Sequence, residues 1–408
     1  MGLSAQEYRI LSTPAMQRLS RIKQLAHAYI VYPGAVHTRL EHSLGTLHVA
    51  GRICDRLNVR EKRAVRLAAL LHDVGQGPFS HLFEEIMRFV NGEDFGHQHV
   101  TKLIMEYDEP VRRALGKLRG EILQLFDGDS LASDVVSSRL DADKMDYLRR
   151  DSYHAGVAYG YFDLERVLNT ICRIKESDRY YIGIEEKGRD SLESYRLARY
   201  LMHGQVYEHH ARLIADDMFA RAVTMSIADG SLSKECFDLR NPGPFLPKYM
   251  EFDDHSIEHL ILREGSETAQ QLIADVRARR LLKRAYVLDM RHIADPIKKG
   301  KLITMDKRDI EKKEMKISDE VGLARGYVII HLQSMKIKLY ERFEQTLGGK
   351  EPPILILKRD GSVTSLDEES PISADMDPIR RLFVFCPKQH TSKVKEIAED
   401  MFGAKSEY

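Results

Sequence analysis

The 408-residue sequence contains no tryptophan, few cysteines, and no apolar run near the ~18 residues that a membrane span requires. Its four cysteines are far apart and include no Cys-x-x-Cys pair, which argues against a disulfide framework and against a thiolate metal site. The first ten residues, MGLSAQEYRI, lack the regions of a secretion signal, and Gln6 stands where a myristoylation motif requires Ser or Thr. We therefore expect a cytoplasmic protein with no membrane partner.

Net charge is also absent, because 62 basic side chains balance 62 acidic ones. This balance removes any whole-protein argument for binding nucleic acid or membranes. The hydrophobic fraction of 43% is ordinary for a folded protein and argues against disorder. Residues 298–316 form a local basic segment with eight Lys or Arg against four acids. We interpret this segment as a solvated helix or loop, so that nucleic acid is a partner we do not favour.

Proline is missing between Pro110 and Pro242, and a cluster follows at Pro242, Pro244 and Pro247. A long proline-free stretch permits long helices, and the cluster is typical of a break or linker. We predict a helical core over residues 1–240 and a smaller mixed α+β region over residues 241–408. β-rich runs near 286, 327, 353 and 381 alternate there with helical segments at 266–280 and 392–403.

Apolar periodicity predicts the individual elements of the core. Helices are expected over 40–57, over 60–75 with an end at Gly75, and from Ser80 as N-cap. Two more are expected over 139–153 and, as one long helix, over 190–228. Residues 171–186 alternate around a polar turn and predict a hairpin. The predicted fold is mainly α with one β-hairpin in the core.

The dipeptide His72-Asp73 occurs once and follows an apolar helix, AALL. Burying an imidazole beside an ionised carboxylate is costly unless both are satisfied, and a divalent cation does this. His42 and Asp143 complete a set of two imidazoles and two carboxylates that suits Fe, Mn, Co, Ni or Zn. A lone histidine is more often a satisfied or surface residue, and an aspartate in a charged helix is usually solvated. The residues alone leave a metal site and this alternative evenly balanced.

Two helical faces carry further chemistry. At 100° per residue, the side chains of Asp143, Lys144, Tyr147, Asp151 and His154 fall within an arc of about 100°. Arg199, His203 and Tyr207 are spaced i, i+4, i+8 and would stack along one helix. Rows of cations, phenols and imidazoles can neutralise phosphate charge, although a solvated charged face is the competing interpretation.

Three segments together carry a family resemblance. They are QRLSRIKQLAHAYIVYPGAVHTRLEHSLG, LLHDVGQGPFSH and RLDADKMDYLRRDSYHAG. The chain resembles the HD-domain phosphohydrolases, and within them the branch of the deoxynucleoside-triphosphate (dNTP) triphosphohydrolases. The resemblance is dense over residues 10–215 and implies a divalent metal (Mn, Fe, Mg, Co, Ni or Zn) held by His42, His72, Asp73 and Asp143.

The resemblance also implies roles for residues around the metal. Those implied to hold substrate are Arg39, Gln76, Lys144, Tyr147, Arg199 and Tyr207 at the phosphates, Asp151 at the sugar, and Gln24 and Leu25 against the deoxyribose. Those implied to be catalytic are Arg39, together with His81 and His97 as proton donors to the leaving oxygen and Glu84 as their acidic partner. The implied reaction converts a dNTP to deoxynucleoside and triphosphate, in a homo-oligomer that is a dimer or tetramer.

The chain departs from the family pattern at several positions. Gln76 replaces the second histidine of HDxGHGPxSH, and an amide cannot become cationic or shuttle a proton. Gln98 follows His97 where the family has glutamate, and Ser12 and Ser20 replace residues of the usual activator site. Two alternatives therefore stay open: a phosphatase or phosphodiesterase on smaller nucleotides, and a nucleotide- or nucleic-acid-binding regulator with weak catalysis.

Overall fold

The structure, a computed structural model, describes residues 2–176, 178–334, 354–370 and 380–408. It is 63% helical, which confirms the mainly α prediction. The helices before residue 160 are α1 (Ala5–Leu11), α2 (Pro14–Arg18), α3 (Arg39–Leu57), α4 (Lys62–Leu71), α5 (His81–Asn91), α6 (His97–Tyr107), α7 (Glu109–Leu115), α8 (Arg119–Asp127), α9 (Leu131–Val136) and α10 (Ala142–Ala155). Those after it are α11 (Leu164–Thr170), α12 (Arg189–Met202), α13 (His210–Ala228), α14 (Pro242–Glu251), α15 (Asp254–Glu264), α16 (Glu267–Arg277), α17 (Pro296–Ile303), α18 (Lys307–Val321), α19 (Leu366–Glu369) and α20 (Thr391–Phe402).

Seven strands occur in the described residues. They are β1 (Ile171–Glu176), β2 (Arg179–Glu185), β3 (Lys283–Asp289), β4 (Ile329–Ser334), β5 (Leu355–Leu357), β6 (Val363–Ser365) and β7 (Arg380–Cys386). Contacts divide the chain into two compact units. The first holds 1–206, 238–254 and the described part of 339–375, and the second holds the remaining described residues. The predicted domains, 1–240 and 241–408, do not coincide with these units and stay a prediction.

Helix α3 is the central helix of the first unit. Its apolar side chains, Leu47, Ala50 and Ile53 among them, are fully buried or nearly so, because they recur at helical spacing on one face. The helix ends at Asn58, which adopts the left-handed conformation with φ 48°. Gly45 lets α10 approach closely, since a Cβ there would overlap the side chains of Asp146 and Arg150. The sequence thereby brings the polar face of α10 against α3.

Two predicted helices differ from the observed ones. Helix α4 ends at Leu71 instead of Gly75, because the next residues form turns in which the Val74 amide donates to the Leu71 carbonyl (3.0 Å). His72 and Asp73 therefore lie at a helix-to-turn junction. The expected helix over 190–228 is also interrupted, since α12 ends at Met202 and a π-helical turn covers 203–207. The α-helical spacing that predicted one row of Arg199, His203 and Tyr207 does not extend past α12.

The proline cluster was predicted to be a break, and this prediction is wrong. It forms α14, which starts with Pro242 at its first position. Proline is tolerated there because the first amides of a helix have no intrahelical acceptor. Pro247 lies inside the helix. The apolar residues of this segment explain the outcome, since Phe245, Leu246 and Tyr249 are buried and anchor the helix in the first unit.

The predicted hairpin is confirmed as β1 and β2, which pair antiparallel with Ile174 opposite Tyr181. Strand β5 continues this sheet in parallel with β2, and β6 pairs antiparallel with β5. The β-rich run near 353 was assigned to the C-terminal region, but its strand belongs to the hairpin sheet in the first unit. Strand pairing between segments about 170 residues apart leaves no local signal in the sequence.

The second unit contains an antiparallel sheet in the order β3-β7-β4. Helix α20 packs against β3 and β7. The residues of this core include Tyr286, Leu288, Ile317, Val328, Leu382, Val384, Val394 and Phe402. These elements confirm the mixed α+β prediction for this part of the chain. In neither unit is any described helix both long and apolar enough to cross a membrane.

Candidate metal centre

Four predicted ligand residues meet in the first unit. His42 comes from α3, His72 and Asp73 from the turn after α4, and Asp143 from the first turn of α10. The His42 Nε2 atom lies 2.9 Å from Asp143 Oδ1 and 3.8 Å from Asp73 Oδ2. The His72 Nε2 atom lies 3.4 Å from Asp73 Oδ2 and 3.7 Å from Asp143 Oδ1. Ligand atoms that share one ion at about 2.0–2.3 Å lie about 3–4 Å apart, so these separations fit a single divalent cation.

Both imidazoles are oriented by acceptors outside the cluster. The Nδ1 atom of His72 donates to the Ala69 carbonyl oxygen at 2.8 Å, and the Nδ1 atom of His42 lies 2.9 Å from Asp146 Oδ2. Outer acceptors of this kind fix the ring and leave Nε2 to bind a metal. His72 Nε2 is buried and has no hydrogen-bond partner within the described residues. His42, His72 and Asp73 therefore converge in an arrangement that could hold a metal ion.

The electrostatics of the cluster favour a cation. Burial lowers the pKa of His42, but hydrogen bonds with Asp143 and Asp146 outweigh it and raise the pKa to about 10. Burial raises the pKa of Asp73, yet Arg39 and His72 hold it far below its usual value. The carboxylates of Asp73, Asp143 and the outer residue Asp146 thus attract positive charge. A divalent cation satisfies the same demand.

Arg39 binds a metal-site carboxylate. Its Nη1 atom lies 2.5 Å from Asp73 Oδ2, and its Nε atom donates to Ser80 Oγ at 2.8 Å. Ser80 occupies the predicted N-cap position of α5, but its hydroxyl donates to the Lys23 carbonyl (2.7 Å) and forms no capping hydrogen bond with the helix. Ser80 and Phe79 both have positive φ, 62° and 55°, which non-glycine residues rarely adopt. This strained turn places the hydroxyl on Arg39.

The predicted phosphate-binding residues of α10 lie beside the cluster. Lys144 is largely but not completely buried, and its Nζ atom lies 2.8 Å from Asp141 Oδ2. Burial lowers the pKa of Lys144, but Asp141 and Asp143 outweigh it and raise the pKa, so the amine is charged. Burial raises the pKa of Tyr147 to about 12, and its phenol keeps its proton. The positive charge of Arg199, on α12, opposes the rise in the pKa of both Lys144 and Tyr147, so its guanidinium is near enough to both groups to interact with them electrostatically.

The predicted sugar-binding residues are buried nearby. Asp151 accepts a hydrogen bond from His37 Nε2 at 2.7 Å, so this histidine fixes its carboxylate. Gln24 and Leu25 follow a short backbone bridge between Lys23 and Thr38. The backbone N–H of Gln24 donates to the His37 carbonyl (3.0 Å). The side-chain oxygen of Gln24 is buried without a hydrogen-bond partner in the described structure. Their contacts with a substrate stay predictions.

The predicted proton donors share one carboxylate. The Nδ1 atoms of His81 and His97 lie 2.9 Å and 2.8 Å from Glu84 Oε1, while Arg88 donates to Glu84 Oε2 at 3.1 Å. Burial raises the pKa of Glu84, but the two imidazoles outweigh it and lower the pKa far below its usual value. The His97 Nε2 atom lies 3.6 Å from Asp73 Oδ1, so this imidazole reaches the metal site. His81 is mostly exposed.

Two predicted residues need separate mention. Gln76 is fully buried, and neither atom of its amide has a hydrogen-bond partner among the described residues. Its role at the substrate stays a prediction. Tyr207 belongs to the second unit, and its part in binding phosphate also stays a prediction.

Sequence reasoning missed four residues that support the site. Asp146 and His37 orient His42 and Asp151, and a spacing of three residues between Asp143 and Asp146 was a signal that could have found the first. Arg18 and Tyr249 hold the backbone that follows Asp73 through bonds to the Val74, Gly75 and Gln76 carbonyls. Arg18 and Tyr249 are 231 residues apart, and no local pattern joins them.

Comparison with known proteins agrees with this site. Residues 39–131 match the family described as HD domain, and residues 162–408 match the HD associated region. An uncharacterized protein of Methanocaldococcus jannaschii is 30% identical over 402 residues, covering 98% of this chain and 79% of that protein. The deoxynucleoside triphosphate triphosphohydrolase SAMHD1 of Danio rerio is 28% identical over 324 residues, covering 67% of this chain and 52% of SAMHD1. The chain thus spans about half the length of that enzyme.

A solved structure shares the fold. A phosphohydrolase from Bacteroides thetaiotaomicron superposes with a TM-score of 0.73 at 24% identity, over 94% of this chain and 96% of that one. The helical core and its His-Asp cluster define a metal-binding hydrolase. The chain belongs to the HD-domain phosphohydrolase family. Eight of the predicted site residues lie within the HD domain match, namely Arg39, His42, His72, Asp73, Gln76, His81, Glu84 and His97.

Proposed function

We propose that this chain hydrolyses deoxynucleoside triphosphates to deoxynucleoside and triphosphate. The observation that carries the proposal is the convergence of His42, His72, Asp73 and Asp143, with the charged amine of Lys144 beside them. The similarity to SAMHD1 supports the choice of substrate. A divalent cation held by the four residues would supply Lewis acidity, which activates water for attack on phosphorus.

The cationic side chains of the site would neutralise the substrate. A triphosphate carries several negative charges, and hydrolysis redistributes them over the phosphate oxygens. Lys144 offers positive charge next to Asp143, Arg199 adds a second positive charge that acts on Lys144, and the protonated phenol of Tyr147 offers a hydrogen-bond donor. Because Lys144 is already fixed by Asp141, little reorganisation is needed when substrate binds.

Proton delivery to the leaving group is assigned to His97. When the bond between the α-phosphorus and the 5′-oxygen breaks, the departing oxygen must gain a proton. His97 has its Nδ1 atom fixed by Glu84 and its Nε2 atom directed to Asp73, whereas His81 is mostly exposed. Glu84 orients the ring through its contact with Nδ1. His81 would keep the Glu84 carboxylate in place.

The direct test uses purified protein with Mn²⁺ or Mg²⁺ and each of the four dNTPs. We expect tripolyphosphate and deoxynucleoside in equal amounts, measured by ³¹P NMR and chromatography. Release of nucleoside monophosphate with pyrophosphate would contradict attack at the α-phosphorus with loss of the 5′-oxygen. Absence of turnover with every metal would contradict the proposal as a whole.

One observation favours a second candidate, a phosphatase or phosphodiesterase on smaller nucleotides. The buried amide of Gln76 has no hydrogen-bond partner among the described residues and cannot carry positive charge. A site with one cation fewer suits a substrate with fewer phosphate charges. Hydrolysis of nucleoside mono- or diphosphates with no tripolyphosphate would establish this candidate instead.

Gln76 also supplies a quantitative prediction. Gln76→His is expected to raise kcat for dNTP hydrolysis by about tenfold, because an imidazole can donate to phosphate and become cationic. The measurement is a steady-state rate comparison against wild type and against Gln17→His, a control at an exposed glutamine. Unchanged turnover would show that position 76 does not contact the reacting phosphate.

Two further properties remain predictions. The homo-oligomer and the cytoplasmic location rest on the family resemblance and on sequence composition. Light scattering on the purified chain measures the first. The metal is a divalent cation whose identity among Mn, Fe, Mg, Co, Ni and Zn is read by elemental analysis of protein purified without chelator.

A further inference from the structure

A cavity separate from the metal site lies against another face of α10. Its volume is about 340 Å³, and it belongs entirely to the first unit. A cavity of this size can hold a small organic ligand. Its base is apolar, formed by Val49, Met145 and Leu164, while its rim is polar and aromatic.

The rim of the cavity combines aromatic rings with arginine side chains. Tyr153 and Tyr161 are 71% and 53% exposed, so their rings are accessible from solvent at the rim of the cavity. Tyr153 meets the ring of His154 edge-on at 5.3 Å. Two arginines, Arg149 and Arg150, stand beside these rings. Exposed phenol rings offer faces for stacking a flat ring, and guanidinium groups bind phosphate in a bidentate manner.

The charge of the rim is distributed unevenly. Arg150 is paired with Asp146 through two contacts of 2.8 and 2.9 Å, so its charge is largely compensated. Arg149 is exposed and forms no ion pair within 4 Å among the described residues, although Glu165 lies near enough to feel its charge. The cavity therefore keeps one guanidinium, that of Arg149, with no ion pair within 4 Å among the described residues, next to the exposed ring of Tyr153.

Two short contact chains connect this cavity to the metal site. Asp146 accepts from Arg150 on the cavity side and binds the Nδ1 atom of His42, a predicted metal ligand, at 2.9 Å. His154 stacks on His37 with ring centroids 4.3 Å apart, and His37 in turn holds Asp151. A ligand that moves Arg150 would shift Asp146, an outer partner of the metal site, and one that moves His154 would shift His37 beside the predicted sugar-binding residue Asp151. Outer partners of metal ligands typically change metal affinity or activity by about 10–100-fold.

We propose that this cavity is a regulatory site for a mononucleotide, a ligand that joins a flat ring to a phosphate. Arg149 binds the phosphate, Tyr153 and Tyr161 stack the base, and Asp146 transmits occupancy to His42. By linkage, a ligand that changes metal affinity must bind with an affinity that depends on the metal in the same ratio. The inference does not require the proposed reaction, since it concerns binding alone.

Calorimetric titration of the full chain with AMP and with GMP tests the binding. Adenosine and inorganic phosphate are titrated as separate arms, because a site that binds both the ring and the phosphate holds each fragment more weakly than the nucleotide. The double variant Arg149→Ala/Tyr153→Ala is expected to weaken nucleotide binding by at least about tenfold. The matched control is Arg189→Ala/Tyr180→Ala, which removes the same residue types elsewhere on the first unit and should bind like wild type.

Asp143→Ala separates this cavity from the metal site. Nucleotide binding that persists in Asp143→Ala and is lost in the cavity double variant supports the proposal. Binding lost only in Asp143→Ala would place the nucleotide at the metal site and overturn it. Equal binding by the cavity variant and wild type, or no binding of AMP or GMP to wild type at millimolar concentration, would also overturn it.

The regulatory part has its own readout, the affinity for Mn²⁺ in competition with a chelator. We expect saturating AMP or GMP to change this affinity by at least about fivefold in wild type and not in the cavity double variant. An unchanged affinity would overturn the transmission through Asp146. A protein that binds nucleotide in the cavity but hydrolyses no dNTP would refute the proposed reaction and leave the cavity site standing.

Discussion

Asp143→Ala and His72→Ala are each expected to lose the bound metal and to reduce phosphohydrolase activity by at least about 1,000-fold. Each variant removes one predicted ligand atom of the metal. The Asp143 atom that is lost, Oδ1, lies 2.9 Å from His42 Nε2. The remaining three ligands hold a divalent cation more weakly and leave water without its activating group. Metal content by elemental analysis and turnover on the substrate identified by the assay are the two measurements.

A matched control is Asp127→Ala, which removes an exposed carboxylate that pairs with Lys102. It should keep metal and activity, since exposed ion pairs contribute about 0–1 kcal/mol. Thermal unfolding of all three variants separates loss of metal from loss of fold. A fully active, metal-containing Asp143→Ala/His72→Ala double variant would show that the cluster is not the catalytic metal site.

Only the His72-Asp73 part of the metal cluster has a local signal, and the residues alone left a metal site no better than even until the family resemblance supplied His42 and Asp143 as ligands. His72-Asp73 follows a run of apolar residues, and a buried imidazole beside a carboxylate requires a compensating charge. The structure confirms that His42, His72 and Asp73 converge. The helix boundary was predicted four residues too late, because apolar periodicity does not register the turn that starts at His72.

Long-range organisation could not be predicted from periodicity. The proline cluster was interpreted as a break, yet its apolar side chains are buried as helix α14. The low helix propensity of proline disfavours α14, but burial of its apolar side chains in the first unit stabilises the helix. Strand β5 likewise joins a sheet formed about 170 residues earlier, and a β-rich run does not reveal which sheet it enters.

The site also shows why fixed polar groups around a metal matter. Arg39 pairs with Asp73, Asp146 orients His42, and Glu84 orients His97. Each partner is a charged residue that is buried almost completely, and such a residue is stable only when its partner is present. The groups that support the metal site therefore also contribute to folding. Changes at these positions affect stability and activity together, and an experiment has to measure both.

Arg18 is another buried charged residue that supports the metal site. Its guanidinium is almost fully buried and donates to three carbonyl oxygens, those of Phe252 (3.0 Å), Val74 (3.1 Å) and Gln76 (2.6 Å). Burial lowers the pKa of Arg18, and none of its hydrogen-bond acceptors is a carboxylate. The fork geometry of the guanidinium allows it to hold separate carbonyls at once. Two of them belong to the turn that follows Asp73.

Tyr249 completes this support. Its hydroxyl donates to the Gly75 carbonyl at 2.8 Å, and its ring lies 5.3 Å from the Arg18 guanidinium carbon. Gly75 itself has no room for a side chain, since a Cβ would overlap Thr101 and the His97 carbonyl. The turn that carries Asp73 is therefore fixed from two sides, by α6 and by Arg18 with Tyr249.

Arg18→Ala is expected to lower the free energy of unfolding by about 3–5 kcal/mol, because it leaves buried carbonyl oxygens without donors and opens a cavity. Tyr249→Phe removes one hydrogen bond and should cost about 1 kcal/mol. Arg18→Lys keeps the charge but not the fork, so its loss should lie between the two. Urea unfolding gives these values, and Mn²⁺ affinity of the folded variants gives the effect on the turn.

The matched control is Arg21→Ala, which removes an arginine paired with Asp253 and half exposed. Its loss should stay within about 1 kcal/mol, with Mn²⁺ affinity unchanged. Arg18→Lys is the decisive variant, since it is expected to fold: a weakened Mn²⁺ affinity would show that the carbonyl contacts position Asp73. If Arg18→Lys binds Mn²⁺ like wild type while losing stability, Arg18 supports the fold alone. If Arg18→Ala loses no more stability than Arg21→Ala, the buried contacts contribute little, and the turn after Asp73 holds its shape through α6.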